Sequence, residues 1–375
     1  MKKITAFILC ILCFSQVEMH NDSTQSLDES CKNEVLSIIF CGDVMGHQPQ
    51  IDAAYNKDKD CYDYSLCFKY VKNYIEDADI AIANLEVTLA GSPYTGYPQF
   101  SSPDALLDAL QHSGFDVILT ANNHVADKGK KGLERSIRQI DKRKLLRAGS
   151  YINHQERDSI YPLIIEKKGY KIALLNATYG TNGMPVYAPN HVNMIDTIQI
   201  RKDICKAKES SADFIVMCIH WGEEYQLKAN SSQRKIAQFL ADEGVRLIIG
   251  SHPHVVQNME VLYGKDSIAV PVYYSLGNFI SNQRKEHSNG GVIVKTEIHI
   301  ASNTITKSSF LPVYVHKGYL KDKYQFHLIP SPDYIKNPSC FSLSAKDSTV
   351  LNFFDKATRK RLEYSKNKYN QLLEN

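Results

Sequence analysis

Short apolar runs that stop at a polar, chemistry-bearing residue recur along this chain, and they constrain its fold more than any other feature. The clearest is Val245 to Ile249, which ends at Gly250-Ser251-His252-Pro253-His254-Val255. An apolar run of this length before a glycine reads as a buried strand. Such strands usually belong to parallel sheets covered on both faces. In open α/β sheets, ligands bind beyond the carboxyl ends of the strands. His252 and His254 are therefore expected in a strand-end loop, stiffened by Pro253.

The same layout recurs four times. Val35 to Cys41 ends at Gly42-Asp43, and Asp79 to Ala83 ends at Asn84-Leu85-Glu86. Asp116 to Thr120 ends at Ala121-Asn122-Asn123-His124, and Phe214 to Ile219 ends at His220-Trp221. Helical spacing separates these runs: Phe68, Val71 and Ile75; Leu106, Leu107 and Leu110; Gly129 to Arg143; Thr197 to Lys208; Ser232 to Glu243. Ser102 and Pro103 suit the cap and first position of the second of these helices. Lys168-Gly169 marks a hairpin between Pro162–Ile165 and Lys171–Ala177. Val270 to Ser275 reads as a further strand, and Val292–Ile300 and Ser309–Val315 alternate like antiparallel strands. The tail from Asp347 to Leu373 reads as a charged helix. Strands alternating with helices predict an α/β fold. The hairpins add a second, partly antiparallel sheet, so the expected architecture is a two-sheet sandwich with helices outside.

Taken singly, an Asp or Asn after a strand reads as a cap or turn residue, and a lone His as structural. Asn278 reads as a turn cap and Trp221 as core or pocket wall. Five polar strand ends in succession point instead to one shared site. Asp43, Glu86, Asn123, His124, His220, His252 and His254 supply carboxylate, carboxamide and imidazole. Borderline transition metals favour that set, whereas calcium favours oxygen almost exclusively. Two ions about 3.5–4 Å apart can clamp a phosphoryl group and make hydroxide at neutral pH. A histidine outside the ligand shell can protonate the leaving oxygen.

The 44 basic and 41 acidic residues balance to +3, which argues against a nucleic-acid partner. Lys2 and Lys3 before the apolar run Ile4 to Phe14 have the layout of a secretory signal, with a cut expected after Ser15. The same residues allow an uncleaved anchor, or lipid attachment at Cys10 or Cys13, although Leu precedes each cysteine. Residues 16–34 read as a flexible linker. No CxxC pair occurs after Ser15, so there is no zinc-ribbon signal there. Cys41 and Cys218 suit apolar packing, and Cys61 and Cys67 are placed to pair in an oxidising compartment.

The motifs GDVMGH, ANLEVTLAG, ANNHVADKG, IHWGEEY, GSHPHVVQ and YYSLGNF, in that order, resemble the poly-γ-glutamate capsule-biosynthesis (CapA-like) family. That family resembles the calcineurin-like metallophosphoesterases. The resemblance spans residues 35–316 and leaves 317–375 as a C-terminal helical extension. It implies an α/β/β/α fold, one or two divalent ions (Mn, Zn or Fe), and an exported protein at the periplasm or cell surface. The implied substrate is an anionic envelope polymer or a phosphoester, and the implied partners are capsule-synthesis membrane proteins. It casts Asp43 and His254 as ligands of a first metal site. Asn123, His220 and His252 serve the second, Glu86 bridges the two, and His124 is the general acid. One departure stands out. The superfamily places a His two residues after the first Asp, and here that residue is Met45, with His47 as a substitute to consider.

Overall fold

Alternation along the first strand already divides the sequence between layers. Leu36, Ile38 and Phe40 join one apolar cluster, while Ile39 and Cys41 join another on the opposite face. A strand presents successive side chains to opposite faces, so two apolar sets imply cover on both. The computed structural model that carries this strand describes residues 34–320 and 323–373. The expected signal segment, and all of the expected linker but Glu34, lie outside the described residues.

The first sheet begins with β1 (Val35–Val44), β2 (Ile80–Leu85), β3 (Val117–Leu119) and β4 (Leu146–Ala148), parallel neighbours in that order. Their connections include α1 (Gln48–Ala54), α2 (Lys72–Glu76), α3 (Ala105–His112) and α4 (Gly129–Lys142). Ile75 of α2, Leu106, Leu107 and Leu110 of α3, and Ile140 of α4 pack with Ile39, Ala81, Ala83 and Ile118 on the sheet's outer face.

The second sheet comprises β5 (Leu163–Lys167), β6 (Tyr170–Thr178), β7 (Phe214–His220), β8 (Leu247–Ser251), β9 (Met259–Tyr263) and β10 (Ala269–Tyr273). Their order is β9-β10-β8-β7-β6-β5, parallel in the middle with an antiparallel strand at each edge. The helices α5 (Thr197–Glu209) and α6 (Ser231–Asp242) contribute Ile200, Ile204, Leu240 and Ala241 to the cluster that holds both sheets together. The chain then returns to the first sheet. There β11 (Asn278–Ile280) pairs in parallel with the end of β1, and β12 (Gly290–His299), β13 (Thr304–Leu320) and β14 (Lys323–Pro330) add antiparallel strands. The result is the expected α/β/β/α sandwich. Among the described residues, no helix is long and apolar enough to cross a membrane.

Some expectations shift. The boundary after residue 316 falls inside β13, and β14 extends the same sheet, so 317–320 and 323–330 are strand rather than helical extension. Only α7 (Ala345–Leu373) has the expected tail character. It is not detached, because Arg361 donates to the Val256 carbonyl at 2.6 Å. Helix α3 starts at Ala105 rather than Pro103, and Ser102 does not cap it. The Asp104 carboxylate beside that start is gripped by both Arg135 nitrogens at 2.7 Å. No disulfide joins Cys61 and Cys67; Cys61 is exposed and Cys67 is buried.

Gly250 shows why the opening motif carries a glycine. A Cβ there would sit 2.0 Å from the Tyr274 carbonyl oxygen and 2.5 Å from Trp221 Nε1. The Trp221 indole donates to that same oxygen at 2.9 Å, beneath the end of β8. Trp221 is thus core, in line with one of its two expected roles. Gly250→Ala is expected to cost about 2–3 kcal/mol by overpacking and by breaking this bond. Denaturant titration followed by the fluorescence of the single tryptophan checks it, and an unchanged midpoint contradicts it.

Candidate metal centre

The strand ends of the two sheets meet. Asp43 closes β1, Glu86 follows β2, Asn123 and His124 follow β3, His220 closes β7, and His252 and His254 follow β8. All seven are buried, Asp43, Glu86 and His220 completely. Gly42 permits the geometry at β1, since a Cβ there would meet the Gly277 carbonyl oxygen at 2.0 Å. A break in the β1–β2 register between Cys41 and Asp43 then aims the Asp43 carboxylate inward. His252 and His254 both have left-handed backbones, with φ of 96° and 58°. Such conformations cost about 1–3 kcal/mol each and concentrate at functional sites.

Two ligand groups share Glu86. Asp43, Glu86 and His220 form one, and Glu86, His252 and His254 the other, with the ligand atoms of each group within 4.8 Å of one another. His254 Nδ1 lies 3.2 Å from Asp43 Oδ2 and 3.1 Å from Asn278 Oδ1. Both are acceptors, so the ring proton belongs on Nδ1. The Nε2 lone pair then faces Glu86 Oε1 at 3.8 Å. His220 Nδ1 meets the Ser251 hydroxyl at 2.9 Å, while Nε2 lies 2.8 Å from Asn123 Oδ1 and 3.5 Å from Glu86 Oε1. The Asn123 amide is oriented by donating to Asn182 Oδ1 at 3.2 Å. With the His220 proton on Nδ1 and Glu86 ionised, lone pairs from Nε2, Asn123 and Glu86 converge with no hydrogen between them. A cation suits such a gap.

Electrostatics agree. Neither Glu86 oxygen has a hydrogen-bond partner, and His252 Nδ1 is also buried without one. Burial above all, and next the Asp43 charge, push the Glu86 carboxyl well above the usual range. An unpaired buried carboxylate is costly unless it keeps its proton or meets a cation. Burial and neighbouring imidazoles lower His220 well below its usual value and take His252 down to about 3. Both rings are therefore neutral and able to ligate. The donor set fits one or two borderline divalent ions, held by Asp43, Glu86, Asn123, His220, His252 and His254.

His124 stands apart from these groups. Its Nδ1 lies 2.8 Å from Asp127 Oδ2, which also accepts from the Phe100 amide at 2.8 Å. The His124 ring packs edge-on against Phe100, with centroids 4.6 Å apart. Nε2 is left as the nitrogen available for proton transfer.

Met45 is buried in the helix-side cluster and offers the site nothing. His47 joins neither ligand group, and its Nδ1 lies 3.1 Å from Gln50 Oε1 and 3.3 Å from the Asn282 amide. Sequence reasoning missed several supporting residues. Asn84 donates to Asp43 Oδ1 at 2.8 Å, and Asn122 accepts from the His124 amide at 3.1 Å. Asn278, read as a turn cap, instead orients His254, and its own amide donates to the carbonyls of His254 and Ser288. The available signal was a lone carboxamide inside or beside an apolar run, as in Ile-Ala-Asn84-Leu.

Two stacked sheets between helix layers, with carboxylate, carboxamide and imidazole side chains gathered at their strand ends, define an α/β/β/α sandwich with a candidate metal centre. The chain belongs to the bacterial capsule synthesis protein family PGA_cap, whose model matches residues 37–283. It is 27% identical over 302 residues to a capsule biosynthesis protein CapA of Bacillus anthracis, covering 76% of this chain and 69% of that one. It is 26% identical over 300 residues to a PGA biosynthesis protein CapA of Bacillus subtilis, covering 76% and 73%. Among solved structures it is similar to a Mycoplasma pneumoniae phosphatase, with TM-score 0.46, 16% identity, and coverage of 81% of this chain and 98% of that one. It is also similar to the Haemophilus influenzae NAD nucleotidase, with TM-score 0.47, 12% identity, and coverage of 88% and 61%.

Proposed function

We propose that this chain is an exported, metal-dependent hydrolase that acts on an anionic capsule or envelope polymer, of the poly-γ-glutamate type or carrying phosphoesters. The carrying observation is the buried Glu86 carboxyl, without a hydrogen-bond partner and shared by two ligand groups. The capsule-synthesis names of its relatives support the envelope setting and a capsule-synthesis membrane partner.

When bound, the ions supply Lewis acidity and lower the pKa of water. The protein's own residues do the rest. Asn123, His220 and Glu86 would hold the ions through side chains fixed at the strand ends. His124 gives its Nε2 proton to the leaving atom, the ester oxygen of a phosphoester or the amide nitrogen of a poly-γ-glutamate link, as its bond to the attacked phosphorus or carbonyl carbon breaks. A water oxygen forms the new bond and its proton returns to His124. Asp127 accepts from Nδ1–H, so the ring that gives up the Nε2 proton is the imidazolium, which becomes the neutral Nδ1–H form.

The test is metal content of the purified chain, followed by a phosphoester and polyglutamate screen with manganese, zinc and iron. One or two equivalents with turnover are expected. Absence of metal after reconstitution overturns the hydrolase reading. A second reading, a non-hydrolytic polymer-binding component of a capsule export assembly, is favoured by one observation: Met45 removes a ligand and His47 does not replace it. Stoichiometric metal with no turnover on any of these substrates selects it.

A further inference from the structure

Three cations gather on the His254 side of the centre. Asn278, which orients His254, donates to Gln283 Oε1 at 3.1 Å, and the Gln283 carbonyl accepts from Lys317 Nζ. Lys317 is thus tied to His254 through Asn278 and Gln283. Arg284 follows Gln283 directly and lowers the Lys317 ammonium by its charge, second to burial, to about 8. Lys285 lies 3.6 Å above the Tyr225 ring, whose centroid is 6.2 Å from that of His254. None of the three makes an ion pair among the described residues. The acids nearby, Glu286 and Glu224, form no ion pair with them among the described residues: Glu286 lies 3.4 Å from His287, and Glu224 hydrogen-bonds Tyr225.

Like charges held together without a counter-ion repel, and the half-buried Lys317 also pays for lost hydration. Such an arrangement is relieved by an anion. Guanidinium and ammonium donors suit the oxygens of phosphate and carboxylate alike. We infer that Lys317, Arg284 and Lys285 form an anion subsite beside the metal centre, which takes a second negative group of the substrate molecule. The inference rests on the proposed function, and it narrows the substrate to one carrying at least two anionic groups.

The test is equilibrium binding of two probes, tripolyphosphate and a short glutamate oligomer, to the full chain and to Arg284→Gln, Lys317→Met and Lys317→Arg. Metal content is measured on every sample. Arg284→Gln and Lys317→Met are each expected to weaken at least one probe about tenfold, with Lys317→Arg close to the parent. The salt dependence should be smaller in the two neutralised variants. Whichever probe responds identifies phosphate or carboxylate as the natural group. Unchanged affinity for both probes in Arg284→Gln, an exposed position that tolerates substitution, overturns the subsite. Rim-dependent binding by a chain that takes up no metal keeps the subsite and discards the hydrolase. Metal uptake with rim-independent binding does the reverse.

Discussion

Replacing His252 and His254 together with alanine is expected to abolish metal binding while leaving both sheets intact. The two imidazoles are a third of the proposed ligand set, which otherwise consists of Asp43, Glu86, Asn123 and His220. A four-ligand zinc site is worth about 10–16 kcal/mol, so losing two imidazoles should weaken binding by at least ~10³-fold. Both positions have left-handed backbones, so a His252→Gly/His254→Gly variant removes the ligands and the strain together. Without metal, it should melt higher than the alanine pair. Calorimetric metal titration and thermal melts check both statements, and near-parent affinity in the alanine pair contradicts the first. Proton linkage adds a sign. The Glu86 pKa is raised, so the metal-free fold holds a proton that the unfolded chain releases. Metal-free stability should therefore fall as pH climbs from the ordinary carboxylate range towards the raised value. Metal uptake expels that proton, so affinity should rise over the same interval.

The second large effect is on turnover. His124→Ala should lower it by about 10²–10⁴-fold with metal content unchanged. The loss should depend on the leaving group. An alkoxide needs His124's proton, whereas a nitrophenolate departs without it, so the variant should approach the parent on nitrophenyl esters. Asp127→Asn should show the same selectivity to a smaller degree, because it acts only by orienting the imidazole. Equal losses on both leaving groups would remove the acid role from His124.

Much of this was legible because buried strands announce themselves twice, by an apolar run and by the residue that stops it. The ends of β1, β2, β3, β7 and β8 were readable for that reason, and so was the convergence of their side chains. What stayed hidden was polar residues inside strands. β13 seems to stop at Val315 because His316 and Lys317 interrupt its pattern, and β14 carries buried Gln325 and His327. Burial of such groups depends on partners far away in sequence, as when the Gln325 amide reaches the Asp63 carbonyl at 3.2 Å. The supporting amides Asn84, Asn122 and Asn278 were obscured likewise, since a single carboxamide beside an apolar run resembles a turn residue until its partner is known. The fate of His47 was open too, because reach is a matter of geometry.

The ligands come from both sheets and extend along the chain from Asp43 to His254, and the loop behind His254 is braced from Arg361. No early segment of the polypeptide can therefore hold an ion on its own. A chain threaded unfolded through a membrane would acquire its metal only where folding finishes. Affinities for first-row ions follow a common order, so identity is set largely by what is on offer. In an exported chain, the choice among manganese, zinc and iron would then be made by the metal pool of the compartment in which the two sheets close.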